Sequence, residues 1–202
     1  MKTFLKFLLA MGLVVLMAAP SLAGLAVDFT PTLANDGTVD SFSLGFQFTT
    51  TSAINVTALG YYDDLLNGLT QSHDVGIYNS SGTLLVSTTV VNSDPLTSWF
   101  RMHSIAPTLL AAGQTYYIMG VTGAENYTFD PTGFAVDPSI TFVADVFNNV
   151  PSAVLAFPND TAGVTGWFGP NFATSAVPVP PTVLLLGSGL LGLVGLRRFR
   201  KG

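Results

Sequence analysis

Apolar and polar positions alternate through the middle of the chain. Phe42, Leu44, Phe46 and Phe48 fall on even positions, with Ser43, Gly45 and Gln47 between them. A period of two predicts a strand with one face on a core and the other toward solvent. Ile54, Val56 and Ala58 continue the pattern. Val75 and Ile77 lead into Asn79-Ser80-Ser81-Gly82, after which Leu84, Val86, Thr88 and Val90 alternate again. This predicts a hairpin whose loop glycine supplies a positive φ. Residues 116–121 and 140–146, rich in β-branched and aromatic side chains, predict two further strands, and 100–102 and 167–168 two shorter ones. Glycine and proline recur at short intervals, and no stretch of about twelve residues has helical periodicity. About eight to ten short strands predict an all-β fold, a two-sheet antiparallel β-sandwich of the jelly-roll kind. The stretch Pro170-Asn171-Phe172-Ala173-Thr174-Ser175-Ala176 reads as a spacer after it.

The two ends follow other rules. Lys2 and Lys6 precede an apolar run over 7–18, and Ser21 and Ala23 form a small-x-small cleavage signal. These are the parts of a signal peptide over 1–23, removed by signal peptidase. The chain has no cysteine to carry a lipid at the new N-terminus. At the other end Val177-Pro178-Val179-Pro180-Pro181 is stiff, because proline fixes φ. Residues 182–196 carry no charge, and Arg197, Arg198, Arg200 and Lys201 follow. Fifteen helical residues reach ~22 Å, so such a transmembrane helix crosses by thinning the bilayer while its arginines snorkel. The basic tail holds that tip in the cytoplasm. The expected organisation is a signal peptide over 1–23, a β-sandwich over 24–176 and a sorting segment over 177–202. Gly187-Ser188-Gly189-Leu190-Leu191-Gly192 matches the dinucleotide pattern G-x-G-x-x-G, but no acidic residue follows to hold a ribose.

The sorting motif Val177, Pro178, Val179, Pro180, Pro181 and Thr182, with the apolar run and the basic tail after it, resembles the PEP-CTERM sorting segment of exported bacterial proteins. The resemblance implies a membrane-embedded exosortase-type processing enzyme as partner, which removes the helix and tail. It also implies export across the inner membrane, with a membrane-anchored precursor and a product in the cell envelope or outside. The usual Pro-Glu-Pro of the family reads Pro178-Val179-Pro180 here. A plain anchor that stays uncut is the competing reading of the same residues. The middle has a second resemblance, over about 40–121, carried by Leu59-Gly60-Tyr61-Tyr62-Asp63-Asp64, His73-Asp74-Val75-Gly76-Ile77-Tyr78, Gly82-Thr83-Leu84-Leu85 and 110–117. It is similar to an uncharacterised β-sandwich family of bacterial secreted and surface proteins, some of which neighbour carbohydrate-active modules.

Charge narrows the partners. All twelve acids lie between residues 24 and 181 and Arg101 is the one base there, a formal −11. Such a surface repels phosphate backbones, so no nucleic-acid partner is expected. With no cysteine there is no disulfide framework, thiol nucleophile or cysteine zinc site.

Candidate chemistry is sparse. His73 and His103 could each serve as a base or a ligand, but they share no short metal-ligand spacing. The competing reading puts His73 at a strand edge or turn and His103 on an exposed strand face. Glu125 is the only glutamate, and glycoside hydrolysis needs two flanking carboxylates, for which Asp63, Asp64 and Asp74 are candidates. Asp63-Asp64-Leu65-Leu66-Asn67-Gly68 could offer oxygens to a weak calcium site or form a solvated turn. Tyr61, Tyr62, Tyr78, Trp99, Tyr116, Tyr117, Tyr127 and Trp167 could build a platform for sugar rings, although strands bury alternate side chains. Sequons at Asn55, Asn79, Asn126 and Asn159 are consistent with Asn- and Thr-rich turns. The expected protein is a non-enzymatic envelope or extracellular-matrix component without catalytic residues, cofactor or resident metal, associated with exopolysaccharide. A carbohydrate-binding module and a secreted hydrolase are the rivals.

Overall fold

The structure is a computed structural model that describes residues 24–31, 35–37, 40–163 and 168–177. All of these but Val177 belong to one compact unit of the chain. Ser21, Ala23, 178–182 and 197–201, on which the signal and sorting expectations fall, lie outside the described residues.

Two sheets pack against each other. One has five strands, in the order β1 (Gly24–Leu25), β15 (Pro170–Ala176), β5 (Ile54–Tyr62), β9 (Phe100–Leu110) and β8 (Leu96–Thr97). The other has six, in the order β14 (Asp160–Thr161), β13 (Ile140–Asn148), β4 (Ser43–Thr50), β10 (Thr115–Val121), β6 (His73–Asn79) and β7 (Leu84–Val90). Two small ribbons complete the fold, β11 (Asn126–Thr128) with β3 (Asn35–Gly37) and β12 (Thr132–Val136) with β2 (Val27–Thr30). Every pairing between these strands is antiparallel. The all-β sandwich expected from the alternation is therefore present. Among the described residues no helix is long and apolar enough to cross a membrane.

The core is an aromatic seam between the sheets. Phe46 and Phe48 on β4 are fully buried, as the even-position pattern requires. Phe172 on β15 lies 4.8 Å from Phe48 and 6.3 Å from Phe46, centroid to centroid. Phe168 stacks on Phe29 of β2 at 4.9 Å. Burying an aromatic side chain is worth about 2–3 kcal/mol, and offset or edge-on pairs add up to about 1 kcal/mol each.

The hairpin of β6 and β7 forms as the sequence predicts. Gly82 has φ +80°, and the Asn79 side-chain oxygen accepts hydrogen bonds from the backbone N–H groups of Ser81 and Thr83. An asparagine that replaces backbone acceptors in this way fixes the turn.

One expectation is overturned. Residues 170–176 are not a spacer but an interior strand of the five-stranded sheet, between β1 and β5. Its loop-like composition misleads because Pro170 stands at the first position, where a missing N–H is tolerated. Asn171 is fully buried. Its side-chain oxygen accepts from the Val27 N–H at 3.3 Å and its nitrogen donates to the Val27 carbonyl at 2.7 Å. The amide thus continues the ladder where the backbone crosses from β1 to β2. The short strand expected at 100–102 also extends, to Leu110, and includes Pro107.

Asn171→Ala should lower stability by about 2–3 kcal/mol, because it leaves a buried donor and a buried acceptor unpaired. Urea unfolding of the variant against the parent checks this.

Candidate functional site

The polar chemistry of the domain gathers at one end of the sandwich, where β5 ends and β6 and β9 begin. Arg101 organises it. This residue sits on β9 opposite Tyr61, and its Nε donates to Oδ2 of Asp63 at 2.7 Å. Asp63 is fully buried, and its other oxygen accepts the Gly68 N–H at 2.9 Å. Arg101 also donates to the Asp94 carbonyl at 3.4 Å. The Asp94 carboxylate accepts from the Val91 N–H at 2.8 Å and pairs with His103 Nδ1 at 3.0 Å. The one basic side chain of the acidic middle therefore ties the loop at 63–68 and the loop before β9 to the same sheet. Burial, and then the nearby carboxylates of Asp64 and Asp63, pushes the Tyr62 hydroxyl up to about 12.

Behind this pair lies a buried cluster of Tyr61, His73 and Glu125. His73 opens β6 and is 1% exposed, not at an edge, because β10 and β7 flank its strand. Its Nδ1 lies 2.9 Å from the Val121 carbonyl, which can only accept, so this nitrogen carries the proton. The ring lies on Tyr61 with centroids 3.8 Å apart and planes 3° from parallel. Nε2 of His73 and the hydroxyl of Tyr61 are both buried without a hydrogen bond. Burial holds the His73 pKa below its ordinary value, against the opposing pull of the Val121 carbonyl, Glu125 and Asp74. Burial also raises that of Tyr61, with Glu125 and Tyr127 adding to it. Glu125 accepts from both the backbone N–H and the hydroxyl of Thr70.

Each aspartate considered for hydrolysis is engaged by a partner of its own. Asp63 faces Arg101, Asp64 accepts from the Asn126 amide at 2.7 Å, and Asp74 accepts from the Thr89 hydroxyl at 2.7 Å. Asp63 and Asp64, considered for calcium, thus turn to different partners. Among the described residues no three His, Asp or Glu side chains converge in a way that could hold a metal ion.

The aromatic platform is also dispersed. Tyr61, Tyr62, Tyr78, Tyr116 and Tyr127 are buried, Trp99 and Tyr117 half-buried, and Trp167 lies outside the described residues. Every described aromatic side chain is at least half-buried. Phe157 covers Tyr78 and Tyr117 edge-on, at 5.6 and 5.0 Å. Beside them a shallow groove of about 330 Å³ is lined by Gln47, Tyr117, Phe157, Asn159 and Asp160 among others. Of the sequon residues, Asn79 is engaged in its turn, Asn126 on Asp64, and Asn159 with Asn149.

Sequence reasoning overlooked the Arg101–Asp63 pair. The signal for it was present in the charge count, since a lone cation among twelve acids must find one of them. Asn171 gave no such signal.

Two outcomes follow from this geometry. Arg101→Met should cost about 3–5 kcal/mol by leaving Asp63 buried and unpaired, and adding Asp63→Asn should recover part of that loss in urea melts. Because the folded-state pKa of His73 is depressed, the unfolded chain takes up its proton first as pH falls. Stability should therefore be full above about 6.5 and decline below it until the folded-state value is passed. His73→Asn should remove this component from the pH dependence of the melting temperature.

No curated protein matches the chain. A family described as a domain of unknown function, DUF4082, matches residues 28–169, which takes in every strand from β3 to β14 and the whole polar cluster. On that match, the chain belongs to the DUF4082 family.

Proposed function

We propose that this chain is an exported, non-enzymatic envelope or matrix protein. In this reading a signal helix over 1–23 delivers it across the inner membrane and signal peptidase removes that helix. The segment over 177–202, with its transmembrane helix and basic tail, then presents the protein to an exosortase-type enzyme for sorting. The sandwich, jelly-roll-like in that β4 and β5 are each flanked by strands distant in the chain, is the cargo.

The observation that carries the reading is the pairing of the first described strand with the last. Gly24 lies opposite Thr174, and Ala176 lies opposite Ile54 at the same end of the same sheet. The proposed leader ends one residue before Gly24, and the proposed motif begins one residue after Ala176. The first and last residues of the domain therefore lie at one pole of it. The Arg101 cluster sits at the other pole, one strand length away, or ~30 Å for the nine residues of β5. A polysaccharide partner fits the same reading, and the groove beside Tyr117 offers it an aromatic edge with amide and carboxylate neighbours.

Mass spectrometry of the mature protein from its own host tests the proposal. Loss of 1–23 together with truncation near 178–182 is expected, and Pro178→Ala with Pro180→Ala should leave the tail in place. A mature chain that keeps its leader, or that ends at Gly202, would overturn the sorting reading.

A further inference from the structure

Exposed sheet edges are open to other strands, and most edges of this domain are guarded. The five-stranded sheet ends on β1 and β8, of two residues each. Where β9 extends past β8, it carries Pro107 and a register shift against Val56 and Ala58. The six-stranded sheet ends on one side at two-residue β14, where β13 has a register shift between Phe142 and Ala144 and the acidic Asp145. Short strands, prolines, bulges and charges are the usual defences against edge pairing.

The remaining edge of the two large sheets is β7. It has seven residues, and among the described residues only β6 pairs with it. Its register shift falls next to the hairpin, between Ile77 and Tyr78, and residues 86–90 then pair without interruption with 73–77. No charged residue and no proline occurs anywhere from 75 to 93, in a domain of twelve acids. Leu84 and Leu85, at its start, are 43% and 40% exposed.

We propose that β7 is the docking edge for a second copy of this chain, the two β7 strands pairing antiparallel about a two-fold axis at Thr88. The strand is self-complementary in that register. Val86 meets Val90, Ser87 meets Thr89, and Thr88 meets its own counterpart. Val86, Thr88 and Val90 are the buried and half-buried positions, whereas Ser87 and Thr89 are exposed. Directly opposed residues share a face, so apolar side chains meet apolar ones and hydroxyls meet hydroxyls. Charge favours this edge over other routes of self-association. Two copies of an anionic domain repel each other, and β7 is a neutral place to meet. Asp74, on the neighbouring β6, is the closest acid along the ladder. In the dimer the two Asp74 carboxylates stand three strand spacings apart, ~14 Å, which exceeds the screening length of about 8 Å at physiological salt. The symmetry is closed, so pairing stops at two copies and yields one continuous twelve-stranded sheet. The inference is independent of the sorting reading, since neither terminus enters it.

The absence of cysteine makes the test direct. In the full chain, expressed in its own host, Thr88→Cys should form a disulfide-linked species of twice the mass under mild oxidation. A disulfide requires Cα atoms within about 7 Å, which opposed positions of an antiparallel pair meet. Leu109→Cys, on β9 and 61% exposed, should remain single. Ser87→Lys added to Thr88→Cys should cut the linked fraction about tenfold, with the far-ultraviolet circular dichroism unchanged. If Thr88→Cys does not accumulate, light scattering of the purified parent and of Ser87→Lys decides, with a dimer expected for the first and a monomer for the second. No link at position 88, a link to a different protein, or a dimer indifferent to Ser87→Lys would overturn the proposal.

Discussion

The fold depends on one contact above the rest, the meeting of Phe168 and Phe172 with Phe46 and Phe48. Those four rings come from the two ends of the domain. Without Phe172 the five-stranded sheet has no apolar wedge between β1 and β5, and Phe48 loses the ring closest to it across the core. Most aromatics of both sheets point into the core, and Tyr78 and Tyr117, outside it, lie under Phe157, so little aromatic surface remains for solvent. The demand for core that closes the sandwich takes Tyr61, Tyr62, Tyr116 and Trp99 out of the sugar platform that eight aromatic residues suggested.

Electrostatics plays a narrower part. Exposed pairs on such a surface contribute little, but Arg101 and Asp63 are a different case, since Asp63 has no access to water. Their bond fixes where β5 turns away from its sheet, and with it the position of the loop at 63–68. Leu65 and Leu66 in that loop both have positive φ, at 59° and 57°, and both are exposed. A backbone so unfavourable for leucine persists because the residues on either side of it are held.

The sequence told more about the architecture than about the chemistry. Period-two alternation revealed β4, β5, β6, β7, β10 and β13, since each has a core-facing row of apolar side chains. It failed for β15, whose place rests on Phe172 and a buried amide rather than on a repeating row. It also underestimated β9, whose outer half is an edge that tolerates Pro107. The site was less legible. His73 left a base, a ligand and a strand-edge or turn residue all open, because its burial comes from Tyr61, twelve positions earlier, and from β10, strands that only the fold assembles around it. Glu125 stood out by being the only glutamate, yet it holds the backbone and hydroxyl of Thr70, 55 positions away, a pairing that composition cannot announce.

The placement of β15 has a bearing on how the domain comes into being. Most of the sheet around it consists of residues made earlier, and none of them can take over its position. A chain emerging from its N-terminus must hold β5 and the start of β2 unfinished until residue 176 has been delivered. Contacts between segments so far apart in sequence also form slowly. The domain therefore stays incomplete for as long as it is being synthesised, and locks only once its last strand has arrived.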